Sequence, residues 1–447
     1  MLSYGAGARK SSRLAKRLRW FVESVTDEFS QMLRVRQRFD TTPPVDVEAS
    51  VTAGFEAIRE QLKPGMRIAV GVGSRGISNL PKIVVAVIGE LKNAGVEPFI
   101  IPAMGSHGGA TPEGQIALLA GYGVTELSMG VPICASMEVK SLGQMDDGRE
   151  VLWSCEALAA DGVIVINRVK PHTSFSRPVG SGLTKMLVVG LGKHAGASAY
   201  HAAALKLGYG EELMRLADVI IRRASVLGGV AIVENAVHET ARIEVLAADA
   251  ILRREPELCI ESSAMMPALP FEEIDLLIVD QIGKNISGTG MDTNTIGRSS
   301  NGYHLVPGQA ATKPFIWRIF VRGLTLESHG NAIGIGLAEA TTMRLVTGVD
   351  TAALYTNSLT SRSVLSAKLP MAFETDAEAI RAMLSSLPDA DPTKARLVRI
   401  RDTLSLGTFE VSAALATEVE EHPALEPLGQ AEPLRFDKSG NLAALVQ

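Results

Sequence analysis

Cysteine is scarce. The chain has three, Cys134, Cys155 and Cys259, too widely spaced for a disulfide framework or a zinc knuckle, and this predicts a reducing compartment. Charge of one sign is also lacking. A formal net charge of -5 and a pI near 6.0 give no bulk electrostatic ground for binding nucleic acid or an anionic membrane. No apolar run reaches the ~18 residues of a membrane span, and none of signal-peptide length follows the basic N-terminus. The expectation is a cytoplasmic protein whose partners are small molecules, with no nucleic acid, no membrane and an open oligomeric state. Aromatic residues are 5% of the chain and single out no aromatic pocket. HExxH, paired CxxC and carboxylate-cage spacings are absent, so any metal must draw most of its ligands from a cofactor.

What is present reads as a globular α/β protein. Hydrophobic residues make up 46% and charged residues 21% of 447 positions, a length beyond one core of roughly 250 to 300 residues, so two domains are expected. "MRIAVGVGS" from Met66 reads as a buried strand ending in a glycine-rich turn, and "NLPKIVVAVIGELKNAG" from Asn79 has helical apolar spacing closed by Gly95. "EPFIIPAMGSHGG" supplies a second strand, "PEGQIALLAGYG" a helix with proline and glutamate in its first turn, and "GVIVI" from Gly162 a third strand. Strand and helix alternating at this spacing predict a Rossmann-like parallel sheet. The proline- and acid-rich stretch between about 252 and 273 predicts the boundary, giving an N-terminal domain over 1–268 and a smaller C-terminal α/β domain over 269–447. The order of helix and strand in "NAIGIGLAEATTMRLV" and "KARLVRIRDTLSLGTFEVS" stays open.

Ligands bind beyond the carboxyl ends of strands in open α/β sheets, and the loops holding Ser74, Arg75, His107 and His172 all belong to that edge. "GVGSRG" is neither G-x-G-x-x-G nor a Walker A loop; it reads as a tight turn with a surface arginine, or as a turn whose N–H groups and Arg75 meet a phosphate. His107 stands among glycines, and Pro171 holds the chain extended at His172. Two imidazoles at one sheet edge suit proton transfer on either face of a substrate. Lys185, after the flexible Gly180-Ser181-Gly182, suits either a desolvated nucleophile or a lysine snorkelling at a helix start. His201, flanked by alanines on a predicted helix, suits a metal ligand or a satisfied core histidine, and His194 rivals it.

With these residues in place, the stretch from about Gly65 to His201 resembles the nickel-dependent lactate racemase family, and the resemblance continues more loosely to about Arg298. It implies a nickel-pincer nucleotide, a pyridinium mononucleotide whose thioamide arm is a lysine; "SGLTK" puts Lys185 in that place, beside Gly182. The family's nickel histidine lies sixteen residues further on, which is His201. Its catalytic histidines follow a G-x-H turn and a P-H pair, matched by His107 and His172. Its cofactor segment falls on Val72 to Gly76, keeping Ser74 and Arg75 but with Val72 for aspartate and Gly76 for proline. The loop between His172 and Lys185 is longer than in lactate racemases and contains Arg177. The family's substrate-carboxylate pair has two counterparts, Gln281 with Lys284, or a site around Asp292, Asn294 and Arg298.

The resemblance implies racemisation or epimerisation of a 2-hydroxy acid by reversible hydride transfer, with cofactor-synthesis enzymes as transient partners. One of His107 and His172 takes the hydroxyl proton as hydride moves to the pyridinium ring, and the second acts when hydride returns to the other face. Arg75, Lys284 or Arg298 would hold the carboxylate. Two other readings stand beside it: a nucleotide-dependent oxidoreductase using "GVGSRG" and Lys185, and a non-catalytic homologue that binds a hydroxy acid or a nucleotide.

Overall fold

The computed structural model describes residues 29–39, 41, 43–73, 76–172, 179–298, 314–388 and 391–445. The chain divides into two units, Asp40–Met266 and a second that joins the residues before Asp40 to those from Pro267 onward. The expected 1–268 domain therefore differs at its start. The strand Gln31–Gln37 pairs antiparallel with Thr408–Ser412 and Leu425–Pro427, so the first described residues belong to the C-terminal unit's sheet.

In the N-terminal unit a five-stranded sheet runs in the order Glu97–Pro102, Arg67–Val72, Gly162–Arg168, Val226–Glu234, Thr240–Ala247. The first four strands are parallel and the last is antiparallel. "GVIVINR" forms its centre because alternate β-branched residues can be covered on both faces: Val163 and Val165 enter one apolar cluster, Ile164 and Ile166 the other. Each side chain so buried contributes roughly 1.5–3 kcal/mol. The helix Leu80–Asn93 starts with proline in its first turn and ends before Gly95, whose φ of 77° continues the chain where an L-residue would be strained. The chain goes from Arg67–Val72 outward to Glu97–Pro102, then returns to the opposite side at Gly162–Arg168. The topological switch point thus lies between the carboxyl ends of Arg67–Val72 and Gly162–Arg168.

The C-terminal unit has the larger sheet, with nine strands among the described residues, although its apolar clusters are the smaller ones. Its centre is Glu273–Val279, flanked in parallel by Phe315–Val321 and by Leu397–Ile400. The two stretches left open resolve into a 3₁₀ turn, the strand Ala340–Thr342 and the helix Met343–Thr347, and into an antiparallel pair of strands, Leu397–Ile400 with Thr408–Ser412. The proline- and acid-rich boundary stretch is mostly helical: Ala248–Met265 is one helix with Pro256 inside it, and the chain leaves the unit only after Met266. Among the described residues no helix is long and apolar enough to cross a membrane.

Candidate active site

Beyond Arg168 the chain forms a narrow-based loop. Lys170 and Ser181 exchange N–H···O bonds of 2.8 Å in both directions, closing the segment that contains His172. Gly180 is forced by this closure, since a Cβ there would lie 2.3 Å from the Lys170 carbonyl oxygen and 2.5 Å from the His172 nitrogen. The returning strand is held by Asn167, whose Nδ2 donates to the Gly182 oxygen at 3.1 Å. Leu183–Lys185 then makes one helical turn that widens into the π-helical turn Met186–Gly190, a geometry often met at functional sites. Trp153, fully buried, donates its indole N–H to the Leu187 oxygen at 2.9 Å and fixes that turn from outside.

The result is a direct contact between two residues singled out in the sequence. Lys185 Nζ lies 2.9 Å from His172 Nε2, and both side chains are half-buried. An amine and an imidazole at this distance are hydrogen-bonded, so a proton on one nitrogen has the other as its acceptor.

His107 is exposed and lies on the loop after Glu97–Pro102, at the same sheet edge. The buried Gln115 fixes this loop, donating to the Gly105 oxygen at 2.9 Å and the His107 oxygen at 3.3 Å. The loop packs on the Lys185 segment, for the Gly105 N–H donates to the Gly190 oxygen at 3.1 Å. Gly190 must lack a side chain because its Cβ would sit 2.7 Å from the Ala103 oxygen.

His201 stands in the helix Lys193–Leu207 and its Nδ1 donates to the Ala197 oxygen at 2.7 Å. That bond leaves the lone pair on Nε2, the tautomer a metal-binding imidazole needs. The alanines of the sequence do not leave the ring isolated: it lies 5.1 Å from Tyr200 and 6.4 Å from Tyr209, centroid to centroid. Among the described residues no three His, Cys, Asp or Glu side chains are grouped to hold a metal. With a nucleotide supplying most of the ligands, the His201 imidazole would be one further donor and the Lys185 amine a point of attachment.

Ser74, Arg75 and Arg177 lie outside the described residues. Gln281 and Lys284 follow the carboxyl end of Glu273–Val279, and the Lys284 Nζ donates to the Gly288 oxygen at 2.9 Å. Asp292 and Asn294 hold one another in a turn, with two bonds of 3.0 Å. Arg298 corrects the sequence expectation. Its guanidinium is buried and forms a two-pronged pair with Glu339 at 2.9 and 3.0 Å, with further bonds to the Leu337 and Ile316 carbonyls, so it braces its own unit rather than a substrate carboxylate.

Three charged groups escaped the sequence reading. Arg168 pairs with Glu234 across neighbouring strand ends, and Glu234 also accepts the Ser78 N–H at 2.7 Å, securing the turn after Gly76. Glu255 is fully buried, and its carboxylate accepts from the Thr184 N–H at 2.8 Å and the Thr184 hydroxyl at 2.7 Å. Burial pushes its pKa up to about 7, against the opposing effect of these bonds and one from the Leu183 N–H. Seventy residues separate Glu255 from Thr184, so local pattern carried no signal of their meeting.

Residues 40–210 match the family model of the lactate racemase N-terminal domain. No curated relative matches the chain in sequence. Two solved structures show low similarity. One is a Thermotoga maritima protein from a structural genomics consortium, 13% identical, with 76% of this chain and 83% of that chain covered and a TM-score of 0.47. The other is the lactate racemase apoprotein of Thermoanaerobacterium thermosaccharolyticum, 12% identical, with 83% and 88% covered and a TM-score of 0.44. The family match lies within the N-terminal unit and contains the motif residues: residues 40–210 are similar to the lactate racemase N-terminal domain.

Proposed function

We propose that the chain is a racemase or epimerase of a 2-hydroxy acid, and that Lys185 is the attachment point of a nickel-pincer nucleotide. The observation that carries this reading is the 2.9 Å contact between Lys185 Nζ and His172 Nε2. An amine that must become an amide has to lose its proton, and the imidazole beside it is a base of suitable strength. With Lys185 holding the nucleotide, the same Nε2 would be available to take a hydroxyl proton from substrate, with His107 as the second proton-transfer group. His201 would offer Nε2 to the metal. When bound, the nucleotide supplies a hydride acceptor, which spares the substrate a carbanion beside its carboxylate. Gly182, Ser74 and Arg75 are proposed to border the nucleotide, and Gln281 with Lys284 to hold the carboxylate, a role from which the Glu339 pair removes Arg298.

Intact mass and nickel content of protein made with and without the cofactor-synthesis enzymes test the reading. A mass gain and bound nickel only with those enzymes, lost in Lys185→Ala, are expected; Lys185→Ala that still gains the mass would overturn the attachment. His107→Asn and His172→Asn should each stop inversion of chiral 2-hydroxy acids, and inversion retained in both would remove their roles.

A further inference from the structure

We propose that Glu255 is a positioning residue for Lys185: from the helix Ala248–Met265 its carboxylate fixes the turn that aims the lysine amine at His172. The inference rests on the reading of Lys185 given above.

Both carboxylate oxygens are used on one residue. Oε2 accepts the Thr184 N–H and Oε1 the Thr184 hydroxyl, directly before Lys185. The turn Leu183–Lys185 has only three residues and no cap from its own N-terminal neighbour, so its leading N–H groups would lack acceptors without Glu255. Gly182 is shaped to this carboxylate. Its backbone is extended, with φ of 179°, and would admit any residue, yet a Cβ would lie 2.2 Å from Glu255 Oε1. The glycine before the lysine is therefore required by Glu255 and not by chain conformation.

Glu255 makes no ion pair among the described residues, and burial without a cation is costly. A neutral capping group would satisfy the turn at less expense. The carboxylate instead offers two strong, divergent acceptors, which hold the Thr184 main chain and side chain together and leave Lys185 one direction in which to extend.

The test uses the full chain without cofactor, so its result is independent of whether nickel or a mass gain is ever found. Acetylation of Lys185 by N-hydroxysuccinimidyl acetate is followed by peptide mass spectrometry from about pH 6 to 10. Lys206, exposed on the helix Lys193–Leu207, is the internal reference. Glu255→Gln and Thr184→Val should slow Lys185 at neutral pH by at least about fivefold and move its pH profile toward that of His172→Asn, with Lys206 unchanged. Thr184→Ser, which keeps the hydroxyl, should retain the wild-type profile. A merely structural role would lower the melting temperature and leave the Lys185 profile of the folded protein as it was, and that result in both variants would overturn the proposal. A His172→Asn profile equal to wild type would do the same. Should Glu255→Gln fail to fold, Thr184→Val decides alone.

Discussion

The two units handle buried charge differently, although Arg168 with Glu234 is a cancelled pair in the N-terminal one as well. In the C-terminal unit, buried guanidiniums are matched by carboxylates: Arg298 with Glu339, Arg322 with Asp280 and Asp376, Arg399 with Asp280 and Glu410. In the N-terminal unit a base meets a base at Lys185 and His172, and the buried Glu255 binds N–H and O–H groups instead of a cation. Charges cancelled within hydrogen-bond distance make rigid strand ends and do no proton chemistry at neutral pH. Proton transfer needs one group that can give a proton in contact with one that can take it, and Lys185 with His172 is such a contact. Both sheets reverse direction at a switch point, and the N-terminal edge places the Lys185–His172 contact beside it.

The largest effect should come from breaking the cancelled side. Asp376 is fully buried and joins Arg322, Arg344 and the Leu442 N–H, with distances of 2.8 to 2.9 Å. Asp376→Ala leaves Arg322 partly uncompensated and frees the chain near Leu442, and about 3–5 kcal/mol should be lost. Hydrogen exchange in the strand Phe315–Val321 reads this loss, while Lys185 acetylation should not change. An equal change at both would show that the two edges are not separable.

Gly182→Ala should cost less, about 1–3 kcal/mol, because the new methyl forces Glu255 or the Thr184 turn to move. Gly89→Ala is the matched control. It lies in the helix Leu80–Asn93 with nothing within 4 Å of its Cβ, and it should gain up to about 1 kcal/mol in thermal or chemical denaturation. If both substitutions were neutral, the close fit between Gly182 and Glu255 would not be real.

Much of the N-terminal unit was legible because its signals are local. Hydrophobic runs gave the strands, and Pro81 and Gly95 bracketed a helix. Misread elements depend on distant partners. Strand Gln31–Gln37 takes its place from Thr408–Ser412, far along the chain, and Arg298 was taken for a substrate cation because Glu339 is visible only after folding. The stretch around Pro256 imitated a linker in composition, although its helix carries the carboxylate that seats Thr184. Pattern reading finds residues that carry chemistry; it does not find those that hold them in place.

The smallest predicted effect concerns a cation buried within the N-terminal unit. Lys193 is fully buried in the N-terminal unit, where its Nζ donates to the Pro102 oxygen at 2.7 Å, a neutral acceptor in place of a carboxylate. Burial lowers its pKa from 10.5 to about 8, with Glu156 opposing the shift through space. A base whose folded pKa lies below its unfolded value binds protons more readily when unfolded, so stability rises with pH between about 8 and 10.5, and below 8 the full penalty is present. That penalty is on the order of 3 kcal/mol, and losing the bond to Pro102 offsets about 1–2 of it. Lys193→Met should therefore be more stable than wild type by about 1 kcal/mol at neutral pH, with the advantage shrinking and then reversing as pH rises through that window. Denaturant midpoints across the window measure it. A constant difference would mean that the buried ammonium bears no such cost, and that the N-terminal unit cancels its interior charge as thoroughly as the C-terminal one.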